Sequence, residues 1–180
     1  NLIAFNLQIR LNFKRSFTRD SINKHFSVGL YSEIINHYNQ SLDSLLNNHN
    51  IESNFTLDNK ASNFSISAKY FLEGYKKNNF ELNFNFSKKL TQKILFSSDF
   101  SINDFRPAFE LQNFVSNHQI WYNSFNNMTL FYGMGALQAG RFSCKLNYSE
   151  INNPIYFNEI SMPNQFDGSS QVIQTSLNYK

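Results

Sequence analysis

The feature that most constrains this chain is a strict alternation of apolar and polar residues. In the stretch FELNFNFS, from Phe80 to Ser87, phenylalanine or leucine occupies every second position and a polar residue follows each of them. After a lysine-rich break the alternation resumes near Ile94 and continues to Asn103. Successive side chains of a β-strand point to opposite faces, so the pattern predicts antiparallel strands with one apolar and one polar face.

The composition favours strands over helices along the whole chain. The 180 residues include 20 Phe and 9 Tyr, which favour strands, and are rich in Asn and Ser, which favour turns and wetted faces. The net charge of +3 is too small to predict a nucleic-acid partner. Cys144 is the single cysteine, which excludes a disulfide within the chain.

The alternation of apolar and polar residues, with its period of two, predicts an all-β fold. We expect an antiparallel up-and-down meander of roughly nine strands. We expect residues 1–180 to form a single segment of one β-barrel domain, incomplete at both ends. The predicted strands cover about 2–13, 26–38, 63–73, two segments within 80–103, 117–123, 128–138, 142–148 and 171–179. A long polar loop is expected at 39–61, an irregular connection at 105–115, and turns at Gly74, Ser124 and Gly140.

Strand length favours an apolar face in contact with lipid. The alternation persists for about ten to twelve residues in several strands, against five or six in a typical soluble strand. Eleven residues at ~3.3 Å each and a tilt near 40° rise roughly 28 Å, close to the ~25 Å apolar band of outer-membrane barrels. Aromatic residues near the predicted strand ends resemble the interfacial girdles of such barrels, namely Phe13, Phe26, Tyr38, Tyr70, Phe80, Phe105, Tyr148 and Tyr179.

Two other hypotheses fit the same alternation. A soluble, lipocalin-like barrel would turn its apolar face inward around a ligand cavity, because the two kinds of barrel differ in which face points inward. An outer-membrane receptor or adhesin barrel would bind a partner through the predicted 39–61 loop. The chain has no run of the ~20 apolar residues that a membrane-spanning helix needs.

Three segments resemble the putative porin family of Bacteroidota outer membranes. They are YFLEGYKKNNFELNFNF from Tyr70, SNHQIWYNSF from Ser116 and YSEINNPIYFNEISMPNQ from Tyr148. The residues that carry the resemblance are Gly74, Asn117, His118, Trp121, Asn123, Phe125, Tyr148, Ile151, Asn153, Tyr156, Phe157, Pro163 and Gln165. The resemblance extends from Tyr70 onward. It implies the middle portion of a large transmembrane β-barrel in the bacterial outer membrane, with no active-site residues to transfer.

A porin-like barrel would enclose water within its polar face and let small hydrophilic solutes diffuse through passively. The mixture of amides and both charges on that face predicts a weak ion preference. The candidate lumen-lining residues are Asn6, Gln8, Arg10, Asn12, Lys69, Glu81, Asn83, Asn85, Asp99 and Lys145.

The sequence predicts neither catalysis nor a cofactor. It contains no Walker loop, Rossmann glycine fingerprint or Gly-x-Ser-x-Gly elbow, and its four histidines lack the spacing of metal ligands. We therefore expect no enzyme activity, no cofactor and no metal site. The expected partners are outer-membrane lipid and small hydrophilic solutes, without nucleic acid.

Overall fold

Long β-strands dominate the structure, as the alternating sequence predicts. The computed structural model of the chain describes residues 3–19, 22–39, 42–116 and 118–179. Within these residues the chain forms thirteen strands and one helix of four residues, so the predicted all-β fold is confirmed. The strands are β1 (Ile3–Arg19), β2 (Ile22–Asn39), β3 (Leu42–Asp58), β4 (Ser62–Gly74), β5 (Phe80–Lys89), β6 (Ile94–Phe105), β7 (Asn113–Val115), β8 (Ile120–Tyr122), β9 (Met128–Ala139), β10 (Phe142–Asn152), β11 (Ile155–Phe157), β12 (Pro163–Gln165) and β13 (Ser169–Tyr179), and the helix is α1 (Phe109–Gln112).

Nine of these strands form one antiparallel sheet in the order β1-β2-β3-β4-β5-β6-β9-β10-β13. Each long strand pairs with the next long strand along the chain, which is the predicted up-and-down meander. Strands β1 and β13 lie at the two edges, so the sheet does not close on itself within the described residues. The remaining strands form two small hairpins, β7 with β8 and β11 with β12.

The predicted loop at 39–61 is wrong, because most of that segment is strand β3. This strand pairs with β2 along its whole length and with β4 over most of it. Its second half does alternate, with Ile51, Phe55 and Leu57 on the apolar side, but Ser53 interrupts that row and the first half is mostly Asn. The ladder hydrogen bonds to two neighbouring strands override this weak local pattern, since strand formation depends on cross-strand context.

The predicted strand at 117–123 is also largely wrong. Only Ile120–Tyr122 is a strand, and it pairs with Asn113–Val115 outside the large sheet, while residue 117 lies outside the described residues. Ser124 does not begin a hairpin turn, since β9 pairs with β6 and β10 rather than with β8. The buried Trp121 ring stacks on Phe114 at 4.4 Å between ring centroids and holds this short hairpin together.

The aromatic residues expected at strand ends have mixed outcomes. Phe80, Phe105 and Tyr179 do lie at strand ends. Phe13 lies well inside β1, because that strand continues to Arg19. The side chain of Tyr38 lies outside the described part of the structure. The other three, Phe26, Tyr70 and Tyr148, each lie four residues from the nearer end of their strand.

One face of the sheet is rich in phenylalanine, and no other element among the described residues packs over it. Paired residues share a face, and the row Phe55, Ile66, Phe84 and Phe100 runs through consecutive pairs of strands β3 to β6. Along this face Phe64 and Phe84 pack edge to face at 5.2 Å between ring centroids. We call it the Phe-rich face. The buried hydrophobic side chains of the described residues, Phe71 and Trp121, both lie elsewhere.

In strands β4 to β10, charged residues on the Phe-rich face lie at its margins, whereas in β1 Arg15 lies on this face inside the strand, opposite Phe26. In the sheet strands from β4 to β10, the charged residues in register with this face are Glu73, Lys88, Asp104 and Glu150. Each of them lies within three residues of a strand end. Between these margins, in β4 to β10, the face is a band without charge.

Connections at the two ends of the sheet differ in length. The turns 59–61, 90–93 and 140–141 join neighbouring strands at one end. The connections 75–79, 106–127 and 153–168 lie at the other end, and we call these three segments the cap. Among the described residues, no helix is long and apolar enough to cross a membrane.

A bulge at the end of β4 brings the chain into the cap. Asn50 pairs with Phe71 and His49 pairs with Glu73, so Leu72 has no opposite residue in the ladder. Gly74 then turns the chain with a φ of +101°, as its predicted role requires. An added Cβ at this glycine would overlap the backbone carbonyl of Asn47, so both the backbone conformation and the space demand glycine.

We predict that Gly74→Ala lowers the free energy of unfolding by about 2 kcal/mol or more, through backbone strain and the clash with Asn47. Gly135→Ala is the matched control, because its Cβ would meet no atom within 4 Å and its φ is not positive. The midpoint of denaturant unfolding measures both effects. Equal midpoints for the two variants would contradict the proposed constraint at Gly74.

Candidate functional site

The polar face of the sheet is the candidate functional site. Eight predicted lumen-lining residues have described side chains, and strand register puts all eight on this one face. For example, Lys69 pairs with Glu81 across β4 and β5, and Asn85 pairs with Asp99 across β5 and β6. The eight are Arg10, Asn12, Lys69, Glu81, Asn83, Asn85, Asp99 and Lys145. Whether this face lines a lumen stays a prediction.

The other two candidates lie near the start of β1. Asn6 pairs with Ile35 and Gln8 pairs with Glu33 in the β1–β2 ladder. The side chains of Asn6 and Gln8 lie outside the described part of the structure.

A cluster of ion pairs crosses the polar face from β2 to β5. Lys69 Nζ lies 3.3 Å from a carboxylate oxygen of Glu52 and 3.9 Å from one of Glu81. Lys76 Nζ, from the cap, lies 3.3 Å from Glu33 Oε2. Each of these lysines therefore lies within 4 Å of at least one glutamate, and their charges largely offset each other locally.

Two aromatic rings support the cations of this cluster. The Arg10 guanidinium lies 5.4 Å from the centre of the Tyr31 ring. The Lys69 and Lys76 ammonium groups lie 5.0 and 5.4 Å from the centre of the Phe71 ring, which is buried. Cations over ring faces gain an electrostatic attraction that does not depend on a paired acid. The charged side chains are thus held in defined positions on the polar face.

The cluster surrounds a small cavity of about 90 Å³. Its lining includes the carboxylates of Glu33 and Glu52, the cations of Arg10, Lys69 and Lys76, and Asn50. The fully buried Asn48 contacts two of the residues that line this cavity. Its Nδ2 donates to Glu33 Oε2 at 3.2 Å, and its Oδ1 accepts from the Lys76 backbone N–H at 2.9 Å. The turn after Gly74 is therefore tied to the polar face.

Beyond this cluster, the polar face carries mostly amides and hydroxyls. Asn83 Nδ2 donates to Ser67 Oγ at 3.4 Å, and Asn85 Nδ2 donates to Ser65 Oγ at 3.3 Å. A hydrogen bond of similar length lies on the other side of β6, where Asn147 Oδ1 accepts from Tyr132 Oη at 3.4 Å. These bonds are longer than the usual 2.7–3.2 Å range and are correspondingly weak.

Sequence reasoning missed several members of the ion-pair cluster. Glu52 was assigned to the predicted loop, although it alternates with Ile51 and Phe55 within β3. Tyr31 and Glu33 lie at polar positions of the predicted second strand, a signal that was available in the alternation. Lys76 lies in the turn after Gly74, and no local pattern shows that this turn brings it back onto the sheet. Among the described residues, no three His, Cys, Asp or Glu side chains lie close enough to hold a metal ion.

The cap is held together by side-chain amides. Gln165 Nε2 donates to the backbone carbonyls of Asn126 and Asn153, each at 2.9 Å. Asn153 Nδ2 donates to the Asn127 carbonyl at 3.0 Å, and Asn123 Nδ2 donates to the Pro163 carbonyl at 3.4 Å. These bonds join the 106–127 and 153–168 connections. The segments that carry the family resemblance include Asn123, Asn153 and Gln165. Part of that resemblance therefore comes from residues that hold the cap together.

Tyr75 joins the third connection to the cap. Its hydroxyl donates to the Pro107 carbonyl at 2.7 Å and accepts from Gln112 Nε2 at 2.6 Å. The Arg106 guanidinium lies 4.5 Å from the ring centre, and the Phe109 ring packs at 5.9 Å between centroids. Burial raises the pKa of the Tyr75 hydroxyl above its usual 10.0, although the nearby positive charge of Arg106 opposes the shift.

Comparison with known protein families gives a match over the whole chain. A family model described as "Putative porin" matches residues 1–180. No curated protein and no solved structure matches the chain.

We predict that Tyr75→Phe destabilises the structure by about 1–2 kcal/mol at neutral pH, because Pro107 and Gln112 each lose a hydrogen-bond partner. Since the folded state raises the pKa of Tyr75, the hydroxyl contribution is fully present below about pH 10 and declines as the pH rises above it. Denaturant unfolding at about pH 8 and above pH 10 should therefore show a smaller alkaline loss in the variant. Tyr122→Phe is the control, since that side chain is 67% exposed; the same alkaline loss in wild type and Tyr75→Phe would contradict this account.

Proposed function

Because the chain belongs to the putative porin family, we propose that its sheet forms the wall of an outer-membrane β-barrel that lets small hydrophilic solutes diffuse through passively. In this proposal the Phe-rich face contacts outer-membrane lipid and the polar face encloses water. The observation that carries it is the Phe-rich face, which the described residues leave uncovered and which in β4 to β10 has an uncharged band bounded by charges at both ends. Charged side chains on a lipid-facing wall are most costly at the bilayer midplane and cheap near its interfaces.

Backbone hydrogen bonding supports a closed wall. The bilayer interior offers no water to unpaired N–H and C=O groups, so strands that span it must pair on both edges. The nine strands already pair with their neighbours along the sheet, and the proposal requires β1 and β13 to be paired as well. Short turns at one end and longer connections at the other are also the arrangement typical of outer-membrane barrels.

The ion-pair cluster supports a pore with weak ion preference. Each of the cations Lys69 and Lys76 lies within 4 Å of a carboxylate, so the polar face presents neither sign of charge in excess there. Selectivity in such pores follows the charges of the side chains that line them. The proposed transport needs no cofactor and no catalytic residue.

Two other hypotheses are less well supported. A lipocalin-like barrel would pack apolar side chains into an interior, whereas the Phe-rich face of the described structure contributes none of the buried hydrophobic residues. The receptor or adhesin hypothesis depended on a long loop at 39–61, and that segment is mostly strand β3.

We predict stable conductance steps when the purified protein is reconstituted into planar bilayers, with a reversal potential near zero in a salt gradient. In Glu33→Gln/Glu52→Gln the cations lose carboxylate partners, so the reversal potential should shift toward anion preference. Glu159→Gln is the matched control, because Glu159 lies between β11 and β12, away from the polar face. Protein that inserts and folds but gives no conductance would overturn passive diffusion, and an unshifted reversal potential would overturn the role of the cluster.

A further inference from the structure

We propose that the polar face carries a hydrogen-bonding track that favours neutral polyhydroxylated solutes, such as sugars, over ions. The inference rests on the proposed function and names the solute class of the same pore. Its basis is a set of amide and hydroxyl side chains, with one carboxylate, that lies on the polar face beyond the ion-pair cluster. We call this set the amide track; it consists of Ser65, Ser67, Asn83, Asn85, Asp99, Ser101, Tyr132, Asn147 and Gln174.

The amide track crosses six neighbouring strands of the sheet. Ladder pairs connect it step by step, from Ser67 with Asn83 and Asn83 with Ser101 to Ser101 with Tyr132. Between β9 and β10 the ladder places Met134 opposite Asn147, so the link there is the hydrogen bond from Tyr132 Oη to Asn147 Oδ1. Asn147 then pairs with Gln174 of β13. Six strands at ~4.8 Å spacing give a width of about 24 Å. A solute can therefore exchange one set of partners for the next across much of the wall.

The hydrogen bonds within the amide track are easily replaced. The four that link its members measure 3.3 to 3.4 Å between donor and acceptor, at the long limit of such bonds. Long, partly exposed bonds contribute little stability, so a solute hydroxyl that takes the place of one partner loses little in exchange. Side chains of the amide track can therefore bind solute hydroxyl groups, because no strong internal hydrogen bond has to break first.

The chemistry of these side chains matches that of a sugar hydroxyl. An amide offers two N–H donors and an acceptor oxygen, and a Ser or Tyr hydroxyl both donates and accepts. A sugar hydroxyl likewise donates and accepts, so it can satisfy either kind of partner. Asp99 adds an acceptor-only carboxylate to which neighbouring hydroxyls can donate together. Tyr132, which is only partly buried, adds a ring surface beside its hydroxyl.

The test is a current-block titration with the reconstituted protein in planar bilayers. Maltotriose is added as the neutral polyhydroxylated probe, and poly(ethylene glycol) of matched size, whose chain offers ether acceptors without donors, is added separately. We expect maltotriose to block the ion current saturably and poly(ethylene glycol) to reduce it without saturation. In Asn83→Ala/Asn85→Ala the apparent affinity for maltotriose should fall about tenfold, because two hydrogen-bonding side chains are lost.

Phe84→Leu is the matched control, since Phe84 lies between the two asparagines in β5 and is in register with the Phe-rich face. It should leave the affinity for maltotriose unchanged. Open pores that maltotriose and poly(ethylene glycol) block alike, or an Asn83→Ala/Asn85→Ala variant with wild-type affinity, would overturn the amide track while leaving the proposed pore intact. A folded, inserted protein without conductance would overturn both.

Discussion

Register between paired strands is the constraint on which the rest of this structure depends. Side chains alternate with a period of two, so a shift of one residue in any ladder would move every Phe of that strand to the polar face. Nine strands keep one register consistent from β1 to β13, and this consistency produces two chemically different faces. At the one described irregularity, the bulge beside Leu72, the extra residue lies at a strand end and serves to direct the chain into the cap.

The two faces are stabilised differently. Edge-to-face contacts among rings such as Phe64, Phe84, Phe100 and Phe131 order the Phe-rich face, but no protein layer covers it. The polar face is ordered by ion pairs and cation–ring contacts at one side and by weak amide bonds at the other. These ion pairs are still partly open to solvent, which screens them, so their contribution to stability is small. In the proposed pore, their fixed positions on the polar face matter more for the passage of solutes than for the fold.

Much of the fold could be predicted where alternation is strong. In strands β4, β5, β6 and β10 apolar residues alternate with polar ones over most of the length, and the predicted positions of these strands and of β9 agree with the structure to within a few residues. Strand β3 escaped prediction because Ser53 and the Asn-rich 47–50 segment break its apolar row. The small hairpins of the cap could not be predicted, because they depend on long-range contacts such as that between Gln165 and Asn126. The local alternation of apolar and polar residues does not reveal such contacts.

The candidate site was predictable as a face but not as a set of contacts. The polar positions of Lys69, Asn83 and Asn85 follow directly from alternation. The partners of Lys69 on β3 and of Glu33 in the cap require the three-dimensional course of the chain. The resemblance was visible only from Tyr70 onward, whereas the family match covers residues 1–180.

The central claim is that lipid contacts the Phe-rich face while water contacts the polar face. Spin labels at adjacent positions test it most directly, with Phe84→Cys and Asn85→Cys prepared in a Cys144→Ala background and reconstituted in bilayers. The account predicts that the label at 84 is relaxed by oxygen dissolved in the acyl chains, and that the label at 85 is relaxed by a water-soluble nickel complex. A label at 84 that meets the nickel complex, or one at 85 that meets only lipid-dissolved oxygen, would contradict it.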